Sequence, residues 1–374
     1  MIQTILLALV ILATFLLQRK YFIDHWKEDL SVQIKFSQAE LPENHQGALR
    51  IVVENRKKLP LSTLNVKFQT DRNLEFEKNR GSITTDQFYH NDVFQIGGGE
   101  RVTRTLHFYG KKRGYYRINN VDLSGFDLFM SCDMHSSFQP EESIFILPRP
   151  FESRDFQLML QQLNGEMITK RNLYEDPFEL RGIREYQPFD SMRSINWKAT
   201  AKTGKFMVNQ RNYTSPKSVR IFLNLTDKHL IKNHDDLEDS IRIGAGLAKY
   251  LLEQGIKVSF YCNGPDVLTG DPMLKSSGSG KNQISSILRS LSRIDVNKEA
   301  LDFDKLFRRR ILIEQENTYT CFVSAYYDQE FLDVLQSFSL QGRIYSWFYP
   351  KNKRFQEDEI PVIIRNNLKM LRMS

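Results

Sequence analysis

"SVRIFLNLT", Ser218–Thr226, is the stretch whose reading decides the fold. Its apolar residues run almost unbroken instead of alternating, which suits a strand covered on both faces in a parallel sheet. The segment "DDLEDSIRIGAGLAKYLLEQG" (235–255) follows, with Leu237, Ile241, Leu247 and Leu251 on one helical face. Asp235 and Glu238 read as a capping pair at its start, and Gly255 as its stop. The alternation then continues. "IKVSFYCN" (256–263) reads as a strand, "NQISSILRSLSRI" (282–294) and "LDFDKLFRRRILIEQ" (301–315) as helices, and "TYTCFVSA" (318–325) as a strand. "DQEFLDVLQSFSLQG" (328–342) reads as a helix and "RIYSWFYP" (343–350) as the last strand. Strand and helix in this order predict an open α/β domain over residues 217–374.

Upstream the texture differs. In residues 151–216, "DFQLMLQQLNGE" has helical spacing and the remainder is weakly periodic, so the region reads as a connection. Residues 28–150 alternate with period two. "LSVQIKF", "GALRIVVEN", "STLNVKFQT", "ERVTRTLHFYG", "GYYRINNVDL" and "ESIFILP" each read as a short strand bounded by turn residues. Serial short strands predict an all-β sandwich, with "YGKKRGYYR" (109–117) as a charged hairpin rim. The prolines of "ILPRP" (Ile146–Pro150) close the block.

The N-terminus is nearly all apolar from Ile2 to Leu17 and then meets Arg19 and Lys20. Such a helix rises to about 24 Å, against about 30 Å of hydrocarbon. Snorkelling of Arg19 and Lys20 extends it into Tyr21 and Phe22. Tyr21, Phe22 and Trp26 read as an interfacial aromatic belt. Positive charge follows the run instead of preceding it, and "LLQRK" is a poor cleavage site. Residues 1–23 are therefore expected to form a transmembrane anchor. Arg19, Lys20 and Lys27 follow the span, which predicts a single-pass inner-membrane protein with the bulk of the chain in the cytoplasm.

The 374 residues exceed one typical domain, and a hydrophobic fraction of 41% can fill cores without staples. The net charge of +7 is compatible with nucleic acid, an acidic partner or an anionic membrane surface. Cys132, Cys262 and Cys321 are too widely spaced for a metal or disulfide framework. The seven histidines form no HExxH pattern, and no GxSxG elbow is present. In "SSGSGKN" (276–282) Lys275 stands where a P-loop needs its first Gly, and Asn282 where it needs a hydroxyl. A loop capping the next helix is the expectation there. The tracts at Arg56, Lys111 and Arg308 share no recognition motif and read as solvated faces.

Open α/β sheets bind ligands at the C-terminal ends of their strands. Von Willebrand factor A domains place Asp-x-Ser-x-Ser there to hold Mg²⁺. In this chain Asn224, Thr226 and Lys228 fill those positions. A hard cation prefers carboxylate oxygen, and Lys228 brings positive charge, so a degenerate site is expected. No cofactor is implied.

The stretch "LRGIREYQPFDSMRSINWKATAKTGKFMV" (180–208) crowds basic, acidic and aromatic residues without a catalytic set. It resembles the signature of the domain-of-unknown-function 58 family. Gly182, Arg184, Glu185, Tyr186, Asp190, Arg193, Ile195, Trp197, Lys198 and Ala201 match, whereas Phe189 replaces a usual Gly and Lys202 a usual Arg. "KKRGYY" resembles the family's Arg-Gly-Tyr element, and "GFDLF" is a drifted form of its Asp-Pro-Phe-Gly element. The resemblance implies a membrane-anchored β-domain joined to a von Willebrand factor A-like domain. It also implies a non-enzymatic interaction or assembly module acting with a MoxR-type AAA+ ATPase on bacterial protein complexes. On this reading Arg184 and Arg193 make bidentate bonds to Glu185, Asp190 or a partner. Trp197 covers a sheet edge and buries apolar area. Two other classes stand beside it: a basic nucleic-acid-binding protein at the membrane, and a Mg²⁺-dependent hydrolase using Asn224 and Thr226.

Overall fold

The computed structural model describes residues 2–77, 82–84, 87–127, 129–169, 175–188, 190–213, 218–229, 232–312, 318–351 and 354–373. The chain divides into two compact units, Met1–Arg149 and Pro150–Ser374.

The first unit opens with helix α1 (Ile2–His25). Its segment Gln3–His25 is long and apolar enough to cross a membrane. Among the described residues, twelve strands follow: β1 (Leu30–Phe36), β2 (Glu40–Pro42), β3 (Gln46–Asn55), β4 (Leu61–Asp71), β5 (Leu74–Phe76), β6 (Ser82–Thr84), β7 (Gln87–Ile96), β8 (Glu100–Gly110), β9 (Gly114–Arg117), β10 (Val121–Phe126), β11 (Asp133–Phe138) and β12 (Ser143–Leu147). They form a sheet of order β1-β3-β8-β5, a second of order β11-β10-β4-β7-β6, and a small third of order β2-β12-β9. Alternation along β3 buries Leu49, Ile51 and Val53, and along β4 it buries Leu64, Val66 and Phe68. These residues share one core, which makes the unit a β-sandwich-like body.

Two expectations fail in this unit. Phe22 and Trp26 do not form a lipid-facing belt; both are buried in the β core, and only Tyr21 of the three is exposed. Phe15, Gln18 and Phe22 lie on one side of α1, the less exposed side along its last turns, and Trp26 follows just beyond the helix. The apolar gain of two large aromatics against a packed sheet outweighs an interfacial position. Nor is "YGKKRGYYR" a hairpin: β8 pairs with β3 and β5, whereas β9 pairs with β12 in another sheet. The Tyr116 hydroxyl donates to the Lys112 carbonyl at 3.0 Å and fixes this corner. Its ring lies so close over Gly114 that a Cβ there would come within 2.5 Å.

The second unit contains α2 (Arg154–Thr169), β13 (Glu175–Glu185), α3 (Trp197–Thr203), β14 (Met207–Tyr213), β15 (Ser218–Asn224), α4 (His234–Glu253), β16 (Lys257–Pro265), β17 (Pro272–Gly278), α5 (Lys281–Ser292), α6 (Phe303–Leu312), β18 (Thr318–Ser324), α7 (Gln329–Leu340), β19 (Tyr345–Pro350), α8 (Val362–Arg365) and β20 (Leu368–Leu371). A six-stranded sheet runs β17-β16-β15-β18-β19-β20, parallel except for the antiparallel edge strand β17. The continuous apolar run of β15 has the cause read from its sequence. Ile221 and Leu223 face a core shared with α2, α4 and α5, and Phe222 faces another shared with α6, α7 and α8.

Four local readings change. Residues 151–216 are not simply a connection, because Phe156, Leu160, Leu163 and Met167 of α2 are buried in the sheet's core. Gly246 lets the chain before α2 pass close to α4, since a Cβ there would meet the Phe151 carbonyl at 2.6 Å. The α4 cap is Asn233, whose side chain accepts from Asp235 N at 3.2 Å, and not the Asp235–Glu238 pair. "SSGSGKN" begins in β17 instead of forming only a loop, and β19 is not the last strand because β20 pairs with it. Of the helix expected at 301–315, residues 313–315 lie outside the described residues.

Candidate functional site

The signature stretch folds as a two-stranded platform. β13 and β14 pair antiparallel, placing Gly182 opposite Gln210, Arg184 opposite Val208 and Glu185 opposite Met207. Between them, Met192–Ser194 makes a short 3₁₀ turn and α3 follows. Asn196 caps α3 by accepting from Ala199 N at 3.0 Å, and its amide donates to Asn209 Oδ1 at 2.7 Å. Gly204 ends α3 at φ +69°, a left-handed conformation open to glycine. The Tyr186 amide donates to the Phe206 carbonyl at 2.8 Å, which closes the ladder.

Arg184 is the brace. Its two terminal nitrogens reach the two Asp190 oxygens at 2.6 and 2.5 Å, and Nη1 also donates to the Glu185 carbonyl at 3.0 Å. Asp190 accepts a further bond from Gln187 N at 2.8 Å. The Arg184 hydrogen bonds hold the Asp190 carboxyl below the usual carboxylate range, against a smaller opposing effect of desolvation. Glu185 pairs with Lys205 at 2.7 Å on the exposed surface, and it is its backbone carbonyl that accepts from Arg184.

Trp197 overturns its expected role. It is 66% exposed and covers no sheet edge. Its ring meets Phe206 edge-on with centroids 6.5 Å apart, and Phe206 meets Tyr186 in the same way at 6.3 Å. Phe206, Met192 and Ile183 are also exposed, as are Arg193, Lys198 and Ala201. The bidentate bond expected of Arg184 is made, whereas Arg193 lies on the exposed 3₁₀ turn. Phe189 lies outside the described residues.

The strand ends form a separate place. A crevice of about 200 Å³ lies there, lined by Asn224, Thr226, Lys228, Asp302, Asp328 and Glu330 among others. Asn224 Oδ1 accepts from Thr226 N at 3.0 Å, and Thr226 Oγ1 accepts from the Asn263 amide at 2.9 Å. The Lys228 ammonium lies 2.7 Å from Asp328 and 3.5 Å from Glu330. Oxygens that a cation would use are thus engaged with the protein's own donors. Among the described residues, no group of three or more His, Cys, Asp or Glu is placed to hold a metal ion.

Asn263 was missed by the sequence reading and organises this end of the sheet. It is fully buried, its amide nitrogen also donates to the Leu301 carbonyl at 2.7 Å, and its Oδ1 accepts from Leu225 N at 2.8 Å. The signal available was a polar residue ending an apolar strand. Asp227, out of phase for a metal, accepts instead from His229 and Asn233 amides at 3.0 and 3.2 Å. Burial raises its carboxyl, yet these bonds prevail and hold it low.

No family model matches the chain, and no curated protein matches it. Among solved structures, the CARDB domain of a Pyrococcus furiosus protein is 14% identical, covers 30% of this chain and 92% of its own, and has a TM-score of 0.20. A non-cellulosomal cohesin from Archaeoglobus fulgidus is 14% identical over 31% of this chain and 91% of its own, with a TM-score of 0.21. A sporulation control protein from Bacillus subtilis is 15% identical over 42% of this chain and 58% of its own, with a TM-score of 0.19. Likenesses this slight carry no argument about function.

Proposed function

We propose that the chain is a membrane-anchored, non-enzymatic interaction module that works with a MoxR-type AAA+ ATPase in the assembly or maturation of protein complexes. The observation that carries this reading is the exposure of Trp197 beside Phe206 on a hairpin braced by Arg184 and Asp190. A rigid mount under an outward-facing aromatic is what a contact residue needs, because ordering costs are met before binding. The resemblance of the signature names the partner class. The α/β unit is read as von Willebrand factor A-like, a reading supported by its strand order, although Asn224, Thr226 and Lys228, at and just beyond the end of β15, depart from the metal-binding pattern of that class. Helix α1 supplies the anchor, with the bulk of the chain on the cytoplasmic side of the inner membrane because Arg19, Lys20 and Lys27 follow the span.

Affinity capture of the full chain from solubilised membranes tests the proposal. An AAA+ ATPase should be recovered with the wild type and lost with Trp197→Ala. Repeated recovery of no AAA+ protein, with α1 intact, would reject the partner assignment.

A further inference from the structure

The turn between β10 and β11 has an exposed tip that the proposed partner contact does not use. Phe129 is 65% exposed and Met130 66% exposed, and Met130 sits at φ +54°. Large apolar side chains at a loop tip normally retreat from water or mark a contact surface. This tip is held outward. The buried Asp127 carboxylate accepts from Ser131 N and Ser131 Oγ, both at 2.6 Å, and from Cys132 N at 3.1 Å.

The position of the tip names what meets it. The Phe129 ring lies against Phe15 of α1, with centroids 5.8 Å apart. Phe15 lies four residues before Arg19, within the apolar run that ends at Leu17. At 1.5 Å of rise per residue, Phe15 lies about 6 Å deeper along the helix than Arg19, whose charge seeks the headgroups. The geometry is fixed at both ends. Gln18 Nε2 lies 3.5 Å from Asp127 Oδ2, and Phe22 and Trp26 anchor the end of α1 in the core of the same unit.

We infer that the Phe129–Met130 tip is a membrane wedge, inserted among the acyl chains of the bilayer that α1 crosses. Its depth matches the ~5–10 Å at which apolar faces of interfacial elements settle. The β-sandwich-like unit is then seated on the lipid surface at two points, α1 and this turn, which fixes its tilt. The inference rests on α1 spanning a bilayer, a part of the proposed function.

Site-directed spin labelling of the full chain tests both claims separately. In a Cys132→Ser background, Phe129→Cys, Met130→Cys, Leu9→Cys and Lys111→Cys are labelled one at a time; Cys262 and Cys321 are fully buried. Each protein is reconstituted into phosphatidylcholine–phosphatidylglycerol vesicles. Collisions with oxygen, which partitions into lipid, are compared with those of a water-soluble nickel chelate. Oxygen should dominate at positions 129, 130 and 9, and the chelate at the exposed position 111. Oxygen dominance at position 9 with chelate dominance at 129 and 130 leaves the span standing and overturns the wedge. Low access to both reagents at 129 and 130 places the tip against protein and overturns it equally. Chelate dominance at position 9 rejects the spanning reading itself, and the wedge with it.

Discussion

Arg184 holds both carboxylate oxygens of Asp190, at 2.6 and 2.5 Å, and so ties the end of β13 to the turn that leads into α3. The fork geometry matters more than the charge, because only a planar guanidinium presents two parallel donors. Arg184→Lys should therefore loosen the turn nearly as much as Arg184→Ala, read as faster amide hydrogen exchange at Gln187 and Asp190. Wild-type exchange rates in Arg184→Lys would show that charge alone suffices. Asp190 is a carboxylate with a depressed folded-state value, caused first by the Arg184 hydrogen bonds. Its stabilisation is present above the unfolded value of about 3.9 and is lost as pH falls through the lower folded value. Exchange in the turn should accelerate in that acid window and not before it.

Trp197→Ala should leave folding almost untouched, within about 0.5 kcal/mol, because the side chain is 66% exposed. Its effect should fall on partner capture instead, where loss of a hot-spot aromatic costs about 2 kcal/mol or more. A large drop in the unfolding midpoint would return Trp197 to a bracing role.

Asn263→Ala should be the most damaging polar substitution at the strand ends. It strands the buried Leu225 N–H and removes a donor from the Leu301 carbonyl and from Thr226. Each buried group left unpaired costs about 1–3 kcal/mol. Equilibrium denaturation measures the sum; a wild-type midpoint would mean that these bonds are replaced without loss.

Asp239 behaves in the opposite sense to Asp190. Burial, supported by the nearby charges of Asp236, Asp235 and Glu238, pushes its carboxyl up to about 6 despite Arg242. A raised folded value means that the folded state binds the proton more tightly, so stability falls as pH rises from about 4 to 6. Asp239→Asn should remove that loss and raise the unfolding midpoint at neutral pH relative to wild type. An unchanged midpoint at pH 7 would contradict the burial argument.

The sequence by itself determined the elements whose burial is periodic. Ser218–Thr226 declared a strand covered on both faces, and Leu237, Ile241, Leu247 and Leu251 declared one face of α4, because side-chain period reports directly which face leaves water. It also determined that Ile2–Leu17 belongs to an apolar helix, since length and composition settle that without any partner. The tertiary structure alone decided which strand meets which. The chain after β8 crosses to another sheet, where Tyr116 closes over Gly114 and β9 pairs with β12, and nothing local in "KKRGYY" distinguishes a corner from a hairpin. It decided that Asn233 caps α4, since neighbouring polar residues compete for one amide within hydrogen-bond reach. It sent Phe22 and Trp26 into a core and left Trp197 in solvent, an inversion that residue type cannot encode. An aromatic is buried or exposed according to which surface stands opposite it, and that surface comes from residues distant in the chain.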